Sequence, residues 1–181
     1  MTSKKFALIL CLLMVFSGFG QEKDFTSKLY STYEKYKEPS LDKRRIKHNE
    51  IQPLINKLST NPKFNVTVVG KSIEGRNLSL ISIGTGATDV FLWSQMHGDE
   101  PTATQAIFDI FNFLSSGDFK TEKENILKNL KLHFLPMLNP DGAEVYQRRN
   151  TLGIDINRDA LALQSPEGRT LKRVRDSLDA D

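Results

Sequence analysis

What is scarce in this chain limits it first. Its 181 residues include one cysteine, Cys11, so no disulfide closes within the chain and no thiolate cluster holds a metal. Histidine is nearly as scarce, with His48, His97 and His133 the three imidazoles on which a nitrogen-ligated site can draw. The apolar run Phe6–Phe16 has eleven residues. That falls well short of the ~20 that a bilayer-spanning helix needs. Charge of one sign is also missing: 25 Lys+Arg against 22 Asp+Glu give a formal net charge of +3, with no basic stripe of the kind nucleic acid demands. Repeats and low-complexity linkers are absent as well.

What is present is the composition of a globular chain, 39% apolar and 26% charged, at a length matching one domain of ~100–200 residues. Lys4 and Lys5 precede the run Phe6–Phe16, and small residues Ser17, Gly18 and Gly20 precede Gln21. This is the grammar of a cleavable export signal over residues 1–20, and it predicts a secreted or periplasmic protein with no stable membrane anchor. Ile9 and Leu10 stand before Cys11 where a lipidation site has small residues. The mature chain then has no cysteine, and loss of the two lysines lowers the formal charge from +3 to +1.

Residues 21–60 read as a helical segment: Phe25, Leu29, Tyr33 and Tyr36 recur at helical spacing across Asp24–Lys37, and Ile46, Ile51, Leu54, Ile55 and Leu58 do so across Ile46–Leu58. His48 falls in this segment and is expected to be exposed. From residue 61 the period changes. Phe64, Val66 and Val68 alternate with polar residues, and a turn at Glu74-Gly75-Arg76-Asn77 leads to Leu78, Leu80, Ile81 and Ile83, the pattern of a β-hairpin. Asp89–Met96 is too apolar for a half-exposed strand and predicts a buried strand at the centre of a sheet. An amphipathic helix follows, with Ala103, Ile107, Ile110, Phe111 and Leu114 on one face and Gly117 as its stop. A short helix, Glu122–Leu130, leads to a second buried strand, Lys131–Leu138, in which His133 is a core or strand-face residue. Pro166–Leu178 is a charged helix with Leu171, Val174 and Leu178 as its apolar stripe. The order predicts a layered α/β fold, a mixed sheet flanked by helices.

Two polar clusters directly follow the two apolar strands: His97-Gly98-Asp99-Glu100, and Asn139-Pro140-Asp141-Gly142 onward to Asp159. Ligands bind at the carboxyl ends of strands in such sheets, so both clusters are expected on one crevice. An imidazole and a carboxylate three residues apart at a strand-to-helix turn are able to converge on one ion, and nitrogen with oxygen suits zinc. Arg148, Arg149, Asn157 and Arg158 come from a short polar segment beside them, and guanidinium groups grip carboxylates and stabilise oxyanions. Each signal alone has a plain alternative: a loop histidine, a helix-start acid, a turn, a solvated arginine pair.

The ordered set HGDE, NPDG, QRRN and GIDINRD resembles the zinc metallocarboxypeptidases of the carboxypeptidase A-like superfamily, over about Asp42 to the end. The resemblance implies that His97 and Glu100 are two metal ligands and that Zn2+ is the cofactor. It implies that Arg148, with Arg149 as the rival placement, polarises the scissile carbonyl. Asn157 and Arg158 are implied to hold the free C-terminal carboxylate of a peptide. Glu74-Gly75-Arg76 resembles a family feature of structural role.

The resemblance also exposes two departures. The family's third ligand, a later histidine, and its general-base glutamate have no match after Glu100, since His133 precedes the NPDG turn. Asp99 stands where several animal members carry arginine. Residues 61–181 are therefore expected to be the N-terminal part of a catalytic domain, apparently truncated, unstable in isolation and at most poorly active. Competing readings are an aspartoacylase- or succinylglutamate desuccinylase-like amidohydrolase, and a non-catalytic module that binds peptide C-termini.

Overall fold

The switch from helical to alternating periodicity after Asn61-Pro62 marks where the sheet begins. A computed structural model describes residues 24–178, so the export-signal reading of residues 1–20 and Cys11 lie outside the described residues. The chain divides into two compact units, Met1–Lys37 and Glu38–Asp181. In the first, helix α1 spans 24–32 and tightens into a 3-10 turn, Tyr33–Tyr36, where the sequence reading has one continuous helix. Lys37, at φ −55° and ψ 138°, is extended and ends it.

The second unit runs α2 (His48–Ser59), β1 (Asn65–Lys71), β2 (Asn77–Ile83), β3 (Thr88–Trp93), α3 (Thr102–Ser115), α4 (Lys120–Asn129), β4 (Leu130–Leu135), α5 (Pro140–Val145) and α6 (Pro166–Leu178). The strands form one sheet in the order β1-β2-β4-β3. β1 with β2 and β2 with β4 are antiparallel, whereas β3 and β4 run parallel. The expected hairpin joins β1 to β2, and Gly75 sits in its turn at φ +79°, a conformation that costs any other residue strain.

Alternation along the strands sorts the core onto two faces. Ile81, Ile83, Phe134 and Leu92 point to one side, where α2 and α3 bring Ile51, Ile55, Phe108 and Phe111. Phe111 packs edge-on against Phe64, Phe108 and Phe134, with ring centroids 5.7, 5.5 and 5.0 Å away. Removing such a ring costs about 3–5 kcal/mol. Leu78, Leu80, Phe91 and Leu135 point to the other side and meet Leu171, Val174 and Leu178 of α6. The result is helix, sheet, helix.

One expectation is corrected. β3 is apolar on both faces as predicted, yet it is the last strand of the sheet among the described residues, bonded on one side to β4, and Trp93 is 44% exposed. Apolarity reports what covers the faces of a strand, whereas its lateral position depends on which backbone it pairs with. His48 is corrected too: it is half-buried, with Nε2 3.1 Å from the Asn77 carbonyl oxygen.

Candidate active site

The parallel pair β3 and β4 sends both polar clusters off the same end of the sheet. Pairing continues past the strands, with the Ser94 amide donating to Leu135 O and the amides of Leu138 and Asn139 donating to Ser94 O and Gln95 O. The two turns then meet back to back. A Cβ on Gly98 would lie 2.1 Å from the Gly142 carbonyl carbon, and one on Gly142 would lie 2.6 Å from Asn139 Nδ2 and 2.7 Å from Arg149 O. No side chain fits between them. The HGDE and NPDG turns each carry glycine where they touch.

Asn139 holds the second turn closed. Its Oδ1 accepts from the Gly142 amide at 2.9 Å and its Nδ2 donates to Arg148 O at 3.2 Å, which ties the segment carrying Arg148 to the turn. Asp141 points the other way and receives Ser72 Oγ, the Glu74 amide and Arg76 Nη1 at 2.6, 3.0 and 2.7 Å. The Glu74-Gly75-Arg76 turn is thereby a buttress of the NPDG turn.

His97, Glu100 and Arg148 come together. His97 Nδ1 lies 2.9 Å from Glu100 Oε2 and 3.3 Å from Arg148 Nη1, while Nε2 lies 3.2 Å from Asp155 Oδ1. Arg148 Nε donates to Asp155 Oδ2 at 3.0 Å. Burial pushes the Asp155 carboxyl up, but hydrogen bonds from Arg148, His97 and the Asn157 amide outweigh it, leaving its pKa below the ordinary value. Asp155 stays anionic and is placed to accept a proton from His97 Nε2.

The tautomer decides what the site wants. In the tautomer that gives Nε2–H to Asp155, Nδ1 presents a lone pair, and the Glu100 carboxylate presents another 2.9 Å away. Two lone pairs so close call for a cation between them. Two atoms bound at about 2.0–2.1 Å to one tetrahedral zinc stand about 3.3 Å apart, close to the spacing present, and the carboxylate–histidine pair behind is the usual support of a metal-bound imidazole. The donor set therefore fits zinc, as two ligands. No group of three His, Cys, Asp or Glu able to hold a metal occurs among the described residues.

The remaining predicted residues divide. Asn157 and Arg158 occupy the 3-10 turn Ile156–Arg158, whose start is capped by Asp155 accepting from the Asn157 amide at 3.1 Å. Asn157 lines a cavity of about 200 Å³ with Phe91, Trp93 and Met96. Arg158 lines a different one, about 510 Å³, together with Arg149. Arg149 donates to Gly153 O at 2.8 Å and does not reach the His97 cluster as Arg148 does. Asp99 Oδ1 is buried without a hydrogen-bond donor among the described residues. Asp155 is the member that sequence reading missed; it lies inside GIDINRD, but only distances reveal that it faces His97.

This geometry gathers a polar cluster at the strand ends of an α/β sheet, and comparison with known proteins gives the class. Residues 51–174 match the family model described as zinc carboxypeptidase, and the chain belongs to that family. It is 31% identical over 99 residues to carboxypeptidase SOL1 of Arabidopsis thaliana, covering 50% of this chain and 20% of that one. It is also 31% identical over 118 residues to carboxypeptidase E of Caenorhabditis elegans, covering 54% and 25%. The chain thus spans about a quarter or less of the length of these relatives. A metallo-carboxypeptidase from Burkholderia cenocepacia shares the fold at a TM-score of 0.70 and 22% identity, over 76% of this chain and 40% of that one. A Pseudomonas aeruginosa metallo-carboxypeptidase in complex with (2-guanidinoethylmercapto)succinic acid aligns at a TM-score of 0.66 and 21% identity, over 75% and 38%. No helix among the described residues is long and apolar enough to cross a membrane.

Proposed function

We propose that the chain carries half of the catalytic apparatus of a zinc-dependent carboxypeptidase that releases the C-terminal residue of peptides. The observation that carries this reading is the convergence of His97 Nδ1 and Glu100 Oε2 at 2.9 Å with Nε2 facing Asp155. His97 and Glu100 hold the metal, which when bound lowers the pKa of a water molecule and polarises the scissile carbonyl. Arg148, beside them, stabilises the oxyanion as the carbonyl carbon becomes tetrahedral. Arg158, which lines one cavity with Arg149, receives the terminal carboxylate, with Asn157 beside it in the 3-10 turn and Arg149 as neighbours in that role. The diacid bound by the Pseudomonas relative is in keeping with a site that reads carboxylates.

The third zinc ligand and the general-base glutamate belong, on this reading, to further chain, and the 40% coverage of the Burkholderia chain supports it. Export through a signal over residues 1–20 is part of the same proposal. The test is zinc titration by calorimetry, paired with hydrolysis of a C-terminally unblocked peptide and of an N-acyl amino acid by a form extended to the relatives' length. His97→Ala and Glu100→Ala are expected to abolish both zinc binding and peptide cleavage. Cleavage of the N-acyl amino acid alone would replace the reading with an amidohydrolase.

A second reading rests on the absence of a three-residue metal group among the described residues. Residues 24–178 by themselves then bind peptide C-termini through Arg158 without cleaving them. Peptide binding that survives chelation of zinc and fails in Arg158→Ala distinguishes it.

A further inference from the structure

His133 is not idle in its strand. It faces Ser82 across the β2–β4 pairing, and its neighbour on the other side is β3, so three strands meet at its ring. Ser82 Oγ lies 2.7 Å from Nδ1, and Asp89 Oδ1 lies 2.6 Å from Nε2. His133 is 2% exposed and Ser82 8%, whereas the Asp89 side chain is 29% exposed. All three project from the α6 face of the sheet, Asp89 from the start of β3, His133 from the middle of β4 and Ser82 from near the end of β2.

The bond lengths choose the tautomer. Asp89 accepts the Nε2 proton, so Nδ1 keeps its lone pair and accepts from the Ser82 hydroxyl. A hydroxyl aimed at the free nitrogen of an imidazole whose other nitrogen is anchored by a carboxylate is the arrangement that makes serine a nucleophile. The two ring nitrogens exchange their usual roles, which leaves the proton chemistry unchanged. Ser82 and His133 also line a cavity of about 360 Å³ together with Lys63 and Lys131. Substrate therefore has a place to sit, with fixed positive charge near it.

We propose that Ser82, His133 and Asp89 form a second reactive site, independent of the metal, that accepts the acyl group of a small ester. The Ser82 Oγ–H bond breaks as its proton passes to His133 Nδ1, and Oγ bonds to the acyl carbon. The ester C–O bond then breaks and the departing alkoxide takes the proton from His133. Water, deprotonated by the same nitrogen, attacks the acyl-serine, releases the carboxylic acid and restores the hydroxyl. The net change is ester and water to acid and alcohol, and no metal or redox partner enters it.

The test uses the full chain, stripped of zinc by chelation, with an alkyl fluorophosphonate as probe and p-nitrophenyl acetate as substrate. Peptide mapping is expected to find the phosphonyl group on Ser82, and Ser82→Ala to remove it. His133→Gln is expected to slow labelling by about 100-fold or more, the usual contribution of a general base. Asp89→Asn, at the more exposed end of the relay, provides a variant whose fold is spared and is expected to slow labelling by a similar factor. Thermal melts of each variant show that the fold persists. No label on the folded chain, label on another serine, or a labelling rate unmoved by Asp89→Asn would overturn the proposal and leave the trio as hydrogen bonding that satisfies a buried histidine.

Discussion

Arg76 Nη1 stands 2.7 Å from Asp141 Oδ1, and the Asp141 side chain is entirely withdrawn from solvent. Sixty-five residues separate the two along the chain, so this ion pair is what locks the β1–β2 hairpin turn onto the NPDG turn that bears the candidate site. Ser72 Oγ and the Glu74 amide complete the coordination of the buried carboxylate. Burial strips water from Asp141, and three donors replace it.

Arg76→Met is therefore expected to destabilise the fold by about 2 kcal/mol, the loss of a charged hydrogen bond to a buried acceptor that keeps its two other donors. Asp141→Ala is expected to cost more, because Ser72, Glu74 and Arg76 then lose their acceptor together. Urea midpoints of the two variants check the order; equal and negligible losses would mean that the turns dock without this pair.

Gly98→Ala is expected to be severe, since its Cβ would stand 2.1 Å from the Gly142 backbone, where nothing flexible can yield. Overpacking typically costs about 1–3 kcal/mol, and a backbone obstacle places this case at the upper end. A thermal shift of the Gly98→Ala protein, set beside Gly117→Ala, whose Cβ meets nothing within 4 Å, isolates the contact from general loss of glycine.

On the proposed function, Asp155→Ala is expected to weaken zinc binding by about 10–100-fold through loss of the group that faces His97, while leaving the two proposed ligands in place. Calorimetric titration with zinc checks it. Asp155→Asn, which still accepts from Nε2–H, is expected to recover part of the loss.

Stability should respond to acid through two carboxyl groups of opposite sign. Burial raises Asp159, but the hydroxyl and amide of Ser165 and the amide of Gln164 outweigh it and hold its pKa below the ordinary value. Asp159 therefore adds stability that is present above the unfolded pKa of about 3.9 and is lost as pH falls through the lower folded value. Glu167 is different. Burial dominates there and raises its pKa despite hydrogen bonds from Asn150 and the Ile73 amide. Its ionised form costs stability at pH above the raised folded value, and the cost is relieved as pH falls toward the ordinary one. Asp159→Asn is expected to lose about 1–3 kcal/mol at neutral pH and to flatten the acid limb. Glu167→Gln is expected to remove the opposing slope. Denaturation across about pH 3 to 8 reads both.

How much of this was legible beforehand depends on the range of the interaction. Pro166–Leu178 is readable to the residue because Leu171, Val174 and Leu178 repeat at helical spacing and Pro166 starts the helix, all local facts. The HGDE, NPDG and GIDINRD strings are likewise local, and together they sufficed to name the family that the comparison of residues 51–174 bears out. β3 was placed at the sheet centre because its residues report only apolar faces, and its true neighbours are chosen by pairing with β4.

The sequence by itself thus determined most of the strands and longer helices, though not α5, together with the layered class and the family, since these follow from periodicity and from short local strings. Tertiary structure alone decided that Asp155 faces His97 across 58 residues, that Arg148 and not Arg149 stands beside His97 and Glu100, and that Ser82 and Asp89 bracket His133. The reason is physical. Hydrogen bonds of a few ångströms are set by where strands pair and turns close, and nothing in the local spacing of residues encodes which distant partner will arrive.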